Sequence, residues 1–391
     1  MTSVYPQLTT FLKEAGTDGY LIDADGEDSN QLYLSGFHAM GDFLTLYTDG
    51  EIQLLVPDLA YPRASTDSNA ATVQRFSEYD YGDKVIEHGP QKAGPLAAAA
   101  FLADHGIDAV SVPMSFPNGT ADILRDHGIE IATDYDNIIA QVRAVKTDEE
   151  IDCIRETQRA NENAMAVAET MLESATVDDG ILYLDGEVLT SERVRRDIEM
   201  TLLEDGYSLD ECFVASGPEG AKSHAVGSGP IETGDPIIVD IFPCSKETRY
   251  FADMTRTFVK GSPDSKIQDW YDLTREAFET ALEMIQPGVT GEEVHEAVCD
   301  VFEREGYPTL RTDESAEDGF ISTTGHGVGL DVHELPKLSW GSGELQPGHV
   351  VTVEPGLYEQ GAGGVRLEDL ILVTELGCEN LTDYPQDLRL V

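Results

Sequence analysis

Positive charge is the scarcest property of this chain. Lysine and arginine number 25 against 74 aspartates and glutamates in 391 residues, a formal net charge of −49. So acidic a surface repels phosphate backbones and anionic bilayers, which excludes nucleic acid and membrane as expected partners. Cysteine is scarce as well. Cys153, Cys212, Cys244, Cys299 and Cys378 stand singly and are odd in number, so neither a disulfide framework nor a thiolate zinc site is indicated. No hydrophobic run approaches a membrane span, and Met1-Thr2-Ser3-Val4-Tyr5-Pro6 lacks the basic and apolar regions of a secretory leader; the expected compartment is the cytoplasm. The acids are spread along the chain rather than gathered in a tail, and 41% of residues are hydrophobic, which argues for a folded protein.

What is present is a sequence long enough for two domains, whose second part states one pattern twice. Leu189-Thr190-Ser191-Glu192-Arg193-Val194 and Val289-Thr290-Gly291-Glu292-Glu293-Val294 open matching helical patterns that close on Asp205-Gly206-Tyr207 and Glu305-Gly306-Tyr307. Downstream, Ser223-His224-Ala225-Val226-Gly227 is echoed by Gly325-His326-Gly327-Val328-Gly329. Gly234-Asp235-Pro236-Ile237-Ile238-Val239-Asp240 is echoed by Gly348-His349-Val350-Val351-Thr352-Val353-Glu354. Each half thus offers a histidine, an acid within an apolar run, and then a second acid, Asp253 or Glu368. The patterns predict a pair of helix-helix-strand repeats, with helices covering one face of a curved antiparallel sheet. One predicted helix runs from about Asp264 to Gln286.

The first part, residues 1–140, reads as a separate α/β domain. Gly19–Ile22, Leu44–Tyr47 and Ile52–Val56 have strand character, the last two joined by a Thr48-Asp49-Gly50-Glu51 turn, and an alanine-rich helix from Pro95 precedes a strand at Ala109–Val112. Its histidines, His38, His88, His105 and His127, form no constellation. The second domain, 141–391, begins just before Thr147, an N-cap with acids behind it.

Asp240, Glu354 and Glu368 each interrupt a β-branched run. Singly, such an acid reads as the wet side of a strand. Repeated in register beside a glycine-flanked histidine, they read as a site, because a carboxylate in a buried strand must be paired, protonated or metal-bound. Four carboxylates and one imidazole suit hard-to-borderline divalent ions.

These residues also carry a resemblance. Asp240, Asp253-Met254-Thr255-Arg256-Thr257-Phe258, Gly325-His326-Gly327-Val328-Gly329-Leu330-Asp331-Val332-His333-Glu334, Glu354-Pro355-Gly356-Leu357-Tyr358 and Gly364-Val365-Arg366-Leu367-Glu368-Asp369 resemble the signature blocks of the pita-bread metallopeptidases, in the prolidase and aminopeptidase P branch. Tyr33-Leu34-Ser35-Gly36-Phe37 is similar to a block of the creatinase-type N-terminal domain. The resemblance implies an α+β fold, a pita-bread catalytic domain behind a smaller α/β domain, and a homodimer. It implies two divalent ions, Mn²⁺ first and Co²⁺, Fe²⁺ or Zn²⁺ as alternatives: Asp240 on one, His326 and Glu354 on the other, Asp253 and Glu368 bridging. It further implies a bridging hydroxide as nucleophile, Glu354 as proton relay, His224 and His333 as catalytic groups beside the substrate, and Lys337 and Arg366 as substrate-binding residues.

The implied activity is hydrolysis of an Xaa-Pro bond in a proline-containing peptide. A dipeptidase is preferred to an aminopeptidase acting on longer peptides, because by the resemblance Lys337 falls where some prolidases carry an arginine that would hold the substrate carboxylate. A creatinase-like metal-free hydrolase or a non-catalytic peptide-binding scaffold is disfavoured, since all five ligand positions are retained. Two features depart from the family pattern. The Asp240-to-Asp253 interval is longer than usual, through an excursion from Cys244 to Tyr250, and Ser223 precedes His224 where relatives carry proline.

The charge itself has a direct consequence. Acid repulsion at −49 is screened only when the Debye length shrinks to about 3 Å in molar salt. The expected result is a thermal midpoint that climbs steeply between millimolar and molar KCl; a midpoint flat across that range would contradict a salt-adapted fold.

Overall fold

Asp49 and Gly50 both take left-handed backbone, φ 51° and 84°, which closes the tight turn between strands Phe43–Thr48 and Glu51–Val56 with Thr48 paired to Glu51. In the computed structural model, which describes residues 5–222 and 225–390, these strands belong to a six-stranded mixed sheet. Its spatial order is Thr72–Arg75, Glu51–Val56, Phe43–Thr48, Gly19–Ala24, Ala109–Pro113 and Glu130–Asp134. Leu21, Leu46, Leu55 and Val110 from the sheet pack with Phe101 and Leu102 of the alanine-rich helix. That helix begins at Pro90 rather than Pro95. Pro90 sits in the first turn, where its missing N–H costs no helical bond.

The chain divides into two compact units, Met1–Arg143 and Ala144–Val391. Arg143, the last residue of the first unit, lies in helix Ile138–Ala144, and its buried guanidinium donates to Asn30 Oδ1 at 2.7 Å.

In the second unit the repeat is explicit. Helices Ser191–Glu204 and Gly291–Arg304 lie one hundred residues apart, each capped by a threonine: Thr190 accepts from Arg193 N and Thr290 from Glu293 N. Each follows a longer helix, Asp148–Ser174 or Ser265–Met284. Thr147 and Glu150 form a reciprocal capping box on the first. On the second, Ile267, Tyr271, Thr274, Phe278, Ala281 and Ile285 are buried as the helical period requires.

The strands form two main ladders. Cys212–Ser216, Ile237–Ile241 and Met254–Lys260 run antiparallel, with Arg389–Leu390 added in parallel at the edge. Glu334–Leu338, Gly325–Gly327, Val350–Val353, Asp369–Thr374 and Gly377–Asn380 form the other. They meet where Glu368 N donates to Thr255 O at 3.1 Å and Thr257 Oγ1 donates to Arg366 O at 2.8 Å. Arg256 locks this seam. Its side chain is 1% exposed and its nitrogens reach the carbonyls of Thr255, Glu368, Tyr384 and Pro385 and, at 2.7 Å, the Asp369 carboxylate. With every donor nitrogen placed, a buried guanidinium becomes a fixed cross-link rather than a liability. Among the described residues no helix is long and apolar enough to cross a membrane.

Candidate active site

Asp240 is the fourth residue of the buried Ile237–Ile241 strand, directly opposite Thr255. Strand alternation places it on the face away from Val239 and Ile241, which pack into the hydrophobic core. The excursion between Asp240 and Asp253 closes on itself: Cys244 bridges Phe251, Ser245 N donates to Tyr250 O, and the Tyr250 hydroxyl reaches Glu150 at 2.6 Å. The added length is absorbed in this turn, and Asp253 enters the buried cluster immediately before Met254–Lys260.

His326 lies at the centre of the short Gly325–Gly327 strand. Both flanking residues must be glycine. A Cβ at Gly325 would stand 1.9 Å from Thr352 O, and one at Gly327 would stand 2.2 Å from Leu335 O. The imidazole Nε2 is 3.7 Å from Asp253 Oδ2 and 3.4 Å from Glu354 Oε1. Ligand atoms of Asp253, His326 and Glu368 all fall within 4.8 Å of one another. Glu354, just past strand Val350–Val353, keeps 18% of its side chain open.

Electrostatics show what the cluster lacks. Burial, then the charges of Glu368, Asp240 and Glu354, raise the Asp253 carboxyl well above its ordinary range. Burial and then Glu354 and Asp240 do the same to Glu368. Burial lifts Glu354 to about 7, although Arg366 opposes it, and lowers His326 to about 4. Asp240 Oδ1, Asp253 Oδ1 and Glu368 Oε1 are buried with no hydrogen-bond partner among the described residues. Grouped carboxylate oxygens that lack protein donors, beside a neutral imidazole, are a donor set that fits divalent cations.

The surrounding residues hold these ligands still. Thr255 Oγ1 donates to Glu368 Oε2 at 2.7 Å, and His326 N donates to Thr352 Oγ1 at 3.1 Å. Arg366, expected on the substrate, spends all three guanidinium nitrogens inside the protein: on Asp240, on the Tyr358 hydroxyl at 3.0 Å and on Thr255 Oγ1 at 3.1 Å. Thr255, Tyr358 and Thr352 had no assigned role from sequence. Each lies within or beside a motif block, yet only spatial proximity reveals what its hydroxyl touches. The His333 ring stands perpendicular to His326, centroids 4.2 Å apart, and is exposed. Lys337, also exposed, pairs directly opposite His326 in an antiparallel ladder, so both side chains share a face. His224 and the preceding Ser223 lie outside the described residues.

The metallopeptidase family M24 pattern matches residues 152–375, and the Creatinase/Prolidase N-terminal domain pattern matches residues 6–145. An Xaa-Pro dipeptidase from Pyrococcus horikoshii is 28% identical over 99% of both chains. The crystal structure of the prolidase from Pyrococcus horikoshii OT3 superposes with a TM-score of 0.78 at 28% identity, covering 98% of this chain and 99% of that one. An Xaa-Pro dipeptidase structure from Bacillus anthracis reaches 0.82 at 26% identity, covering 99% and 98%. A fold of this class with a buried carboxylate-imidazole cluster defines a metal-dependent hydrolase. The chain belongs to metallopeptidase family M24.

The raised carboxyls fix the sign of a pH effect. In chelated protein, Asp253, Glu354 and Glu368 bind protons more tightly than in the unfolded chain. Their contribution to stability is therefore full below the unfolded carboxylate range near ~4 and is lost as pH rises, for Glu354 through about 7. Bound cations must displace those protons. Calorimetric titration with Mn²⁺ at about pH 6 should release protons, giving a heat that varies with buffer ionisation enthalpy, and affinity should rise with pH. A buffer-independent heat with pH-flat affinity would contradict this electrostatic picture.

Proposed function

We propose that the chain is a metal-dependent Xaa-Pro dipeptidase in which Asp240, Asp253, His326, Glu354 and Glu368 hold two divalent ions. The observation that carries the reading is the buried grouping of Asp253, His326 and Glu368, whose ligand atoms lie within 4.8 Å of one another, with Glu354 3.4 Å from the same imidazole. Mn²⁺ is the first choice of metal, on the hard oxygen-rich donor set. Such ions supply a nucleophilic water at neutral pH and polarise the scissile carbonyl.

The chain's own residues supply the rest. Glu354 is the most open of the site carboxylates, with 18% of its side chain exposed, and is the group that relays a proton to the departing proline nitrogen. His333 presents its ring on the exposed side of His326, where a donor meets the oxygen on which negative charge develops. His224 is proposed as its counterpart from the repeated sequence pattern. Arg366 orients Asp240 through their ion pair, while Tyr358 and Thr255 orient Arg366. Acidity favours a salt-adapted protein, the cytoplasm is the compartment expected from the sequence, and a homodimer is the form expected from the resemblance.

Lys337 bears on substrate length. It pairs opposite His326 with its side chain on the same face, which supports the reading that it binds the free carboxylate of an Xaa-Pro dipeptide. A longer peptide has no carboxylate at that position. Lys337→Ala should raise the dipeptide KM by an amount equivalent to about 1–3 kcal/mol while leaving Xaa-Pro-Xaa cleavage nearly unchanged. Wild-type preference for the tripeptide, with no selective loss in the variant, would instead favour an aminopeptidase.

A further inference from the structure

We infer that Lys146 is a positioning residue for the reaction, acting through Glu334 on the loop that presents His333. The inference rests on the proposed role of His333 beside the substrate. Lys146 directly precedes the capping box of the Asp148–Ser174 helix, and its ammonium lies 2.7 Å from Glu334 Oε1, with side-chain exposures of 1% and 6%. Two full charges taken so far from water persist only where they are well paired, and removal of either leaves the other stranded.

The pair lies where it sets the shape of one loop. Glu334 Oε2 accepts from Asp331 N at 3.3 Å, so the same carboxylate that meets Lys146 also turns the backbone between Gly329 and Glu334. Gly329 lies directly against that carboxylate: a Cβ there would stand 2.4 Å from Oε1 and 2.7 Å from Cδ. Gly329 N donates to Asp331 O, and Gly329 O accepts from Phe251 N at 2.8 Å, which ties the loop to the end of the excursion before Asp253. His333 is the residue before Glu334, and its ring stands 4.2 Å from the His326 ring, so a displacement of Glu334 is passed directly to the group beside His326.

Lys146 is itself anchored. Its N–H donates to Gly348 O at 2.9 Å, and a Cβ on Gly348 would stand 3.0 Å from Lys146 O. Gly348 precedes strand Val350–Val353, which leads directly into Glu354. The ammonium therefore joins two structures that must agree at the site, the strand leading to Glu354 and the loop presenting His333. A neutral side chain of similar length would keep the packing and lose the restraint. Arginine could reach the same carboxylate, at some cost in fit.

The test is a double-mutant cycle on Xaa-Pro hydrolysis by the metal-loaded full chain. Lys146→Met should lower kcat by about tenfold or more with little change in KM, metal content should stay at the wild-type level, and Lys146→Arg should recover most of the loss. In a His333→Ala background the same Lys146→Met change should cost less than about twofold, since the group it positions is gone. Should Lys146→Met fail to fold, Glu334→Gln takes its place in the cycle with the same expectation. Wild-type kcat in the Lys146 or Glu334 variant, or losses that multiply independently with His333→Ala, would overturn the inference alone. Full activity in His333→Ala itself would overturn the proposed role of His333 and the inference with it.

Discussion

Mutual repulsion among Asp240, Asp253, Glu354 and Glu368 is the constraint around which the second unit is built. Burial first, and then the neighbouring like charges, raise the proton affinity of Asp253, Glu354 and Glu368. Left alone, such a cluster would open or stay protonated. It holds together here because rigid strands deliver each carboxylate and because cations can neutralise what the protein leaves donorless. Ligand geometry fixed by the scaffold is what allows a metal to act on substrate rather than reorganise the protein.

The scaffold answers that demand by repetition and by cross-linking. Each half supplies two capped helices and a ladder whose buried face carries hydrophobic residues and whose other face carries an acid. The halves are then joined at the Thr255–Glu368 seam, where Arg256 and Arg366 are the principal cations. Arg256 holds the backbone behind Glu368, and Arg366 lies against Asp240. In a chain with only 25 basic residues, placing arginines at this seam shows where positive charge matters most. The bidentate reach of guanidinium suits it to hold several acceptors at once.

Much of this was legible in the sequence. The hundred-residue repeat of Leu189–Val194 in Val289–Val294 announced paired helices, and a helix was expected from about Asp264 to Gln286, because helical patterning is a local property. The acids of the site could be selected because they broke apolar runs in repeated register. Other features were not legible. The start of the alanine-rich helix was missed because Pro95 reads as a beginning, whereas Pro90 supplies it. The strands separate into distinct ladders, which depends on long-range pairing that no local pattern encodes. Arg366 reads as a substrate group from its motif, yet its hydrogen bonds run to Asp240, Tyr358 and Thr255, contacts set by residues far apart in the chain. Lys146 and Glu334 carry no motif signal as a pair, since their partnership exists only once Gly348 and Gly329 have brought the two segments together.

The central claim is that this cluster is a dinuclear metal centre on which Xaa-Pro hydrolysis depends. Its most direct test is to strip the protein with chelator, then titrate divalent metal while following both bound metal by atomic spectrometry and hydrolysis of an Xaa-Pro dipeptide. The account predicts no activity in the stripped protein and recovery that saturates at about two ions per chain, with Asp253→Ala and Glu368→Ala inactive at every metal concentration. Undiminished activity in protein free of metal would contradict it.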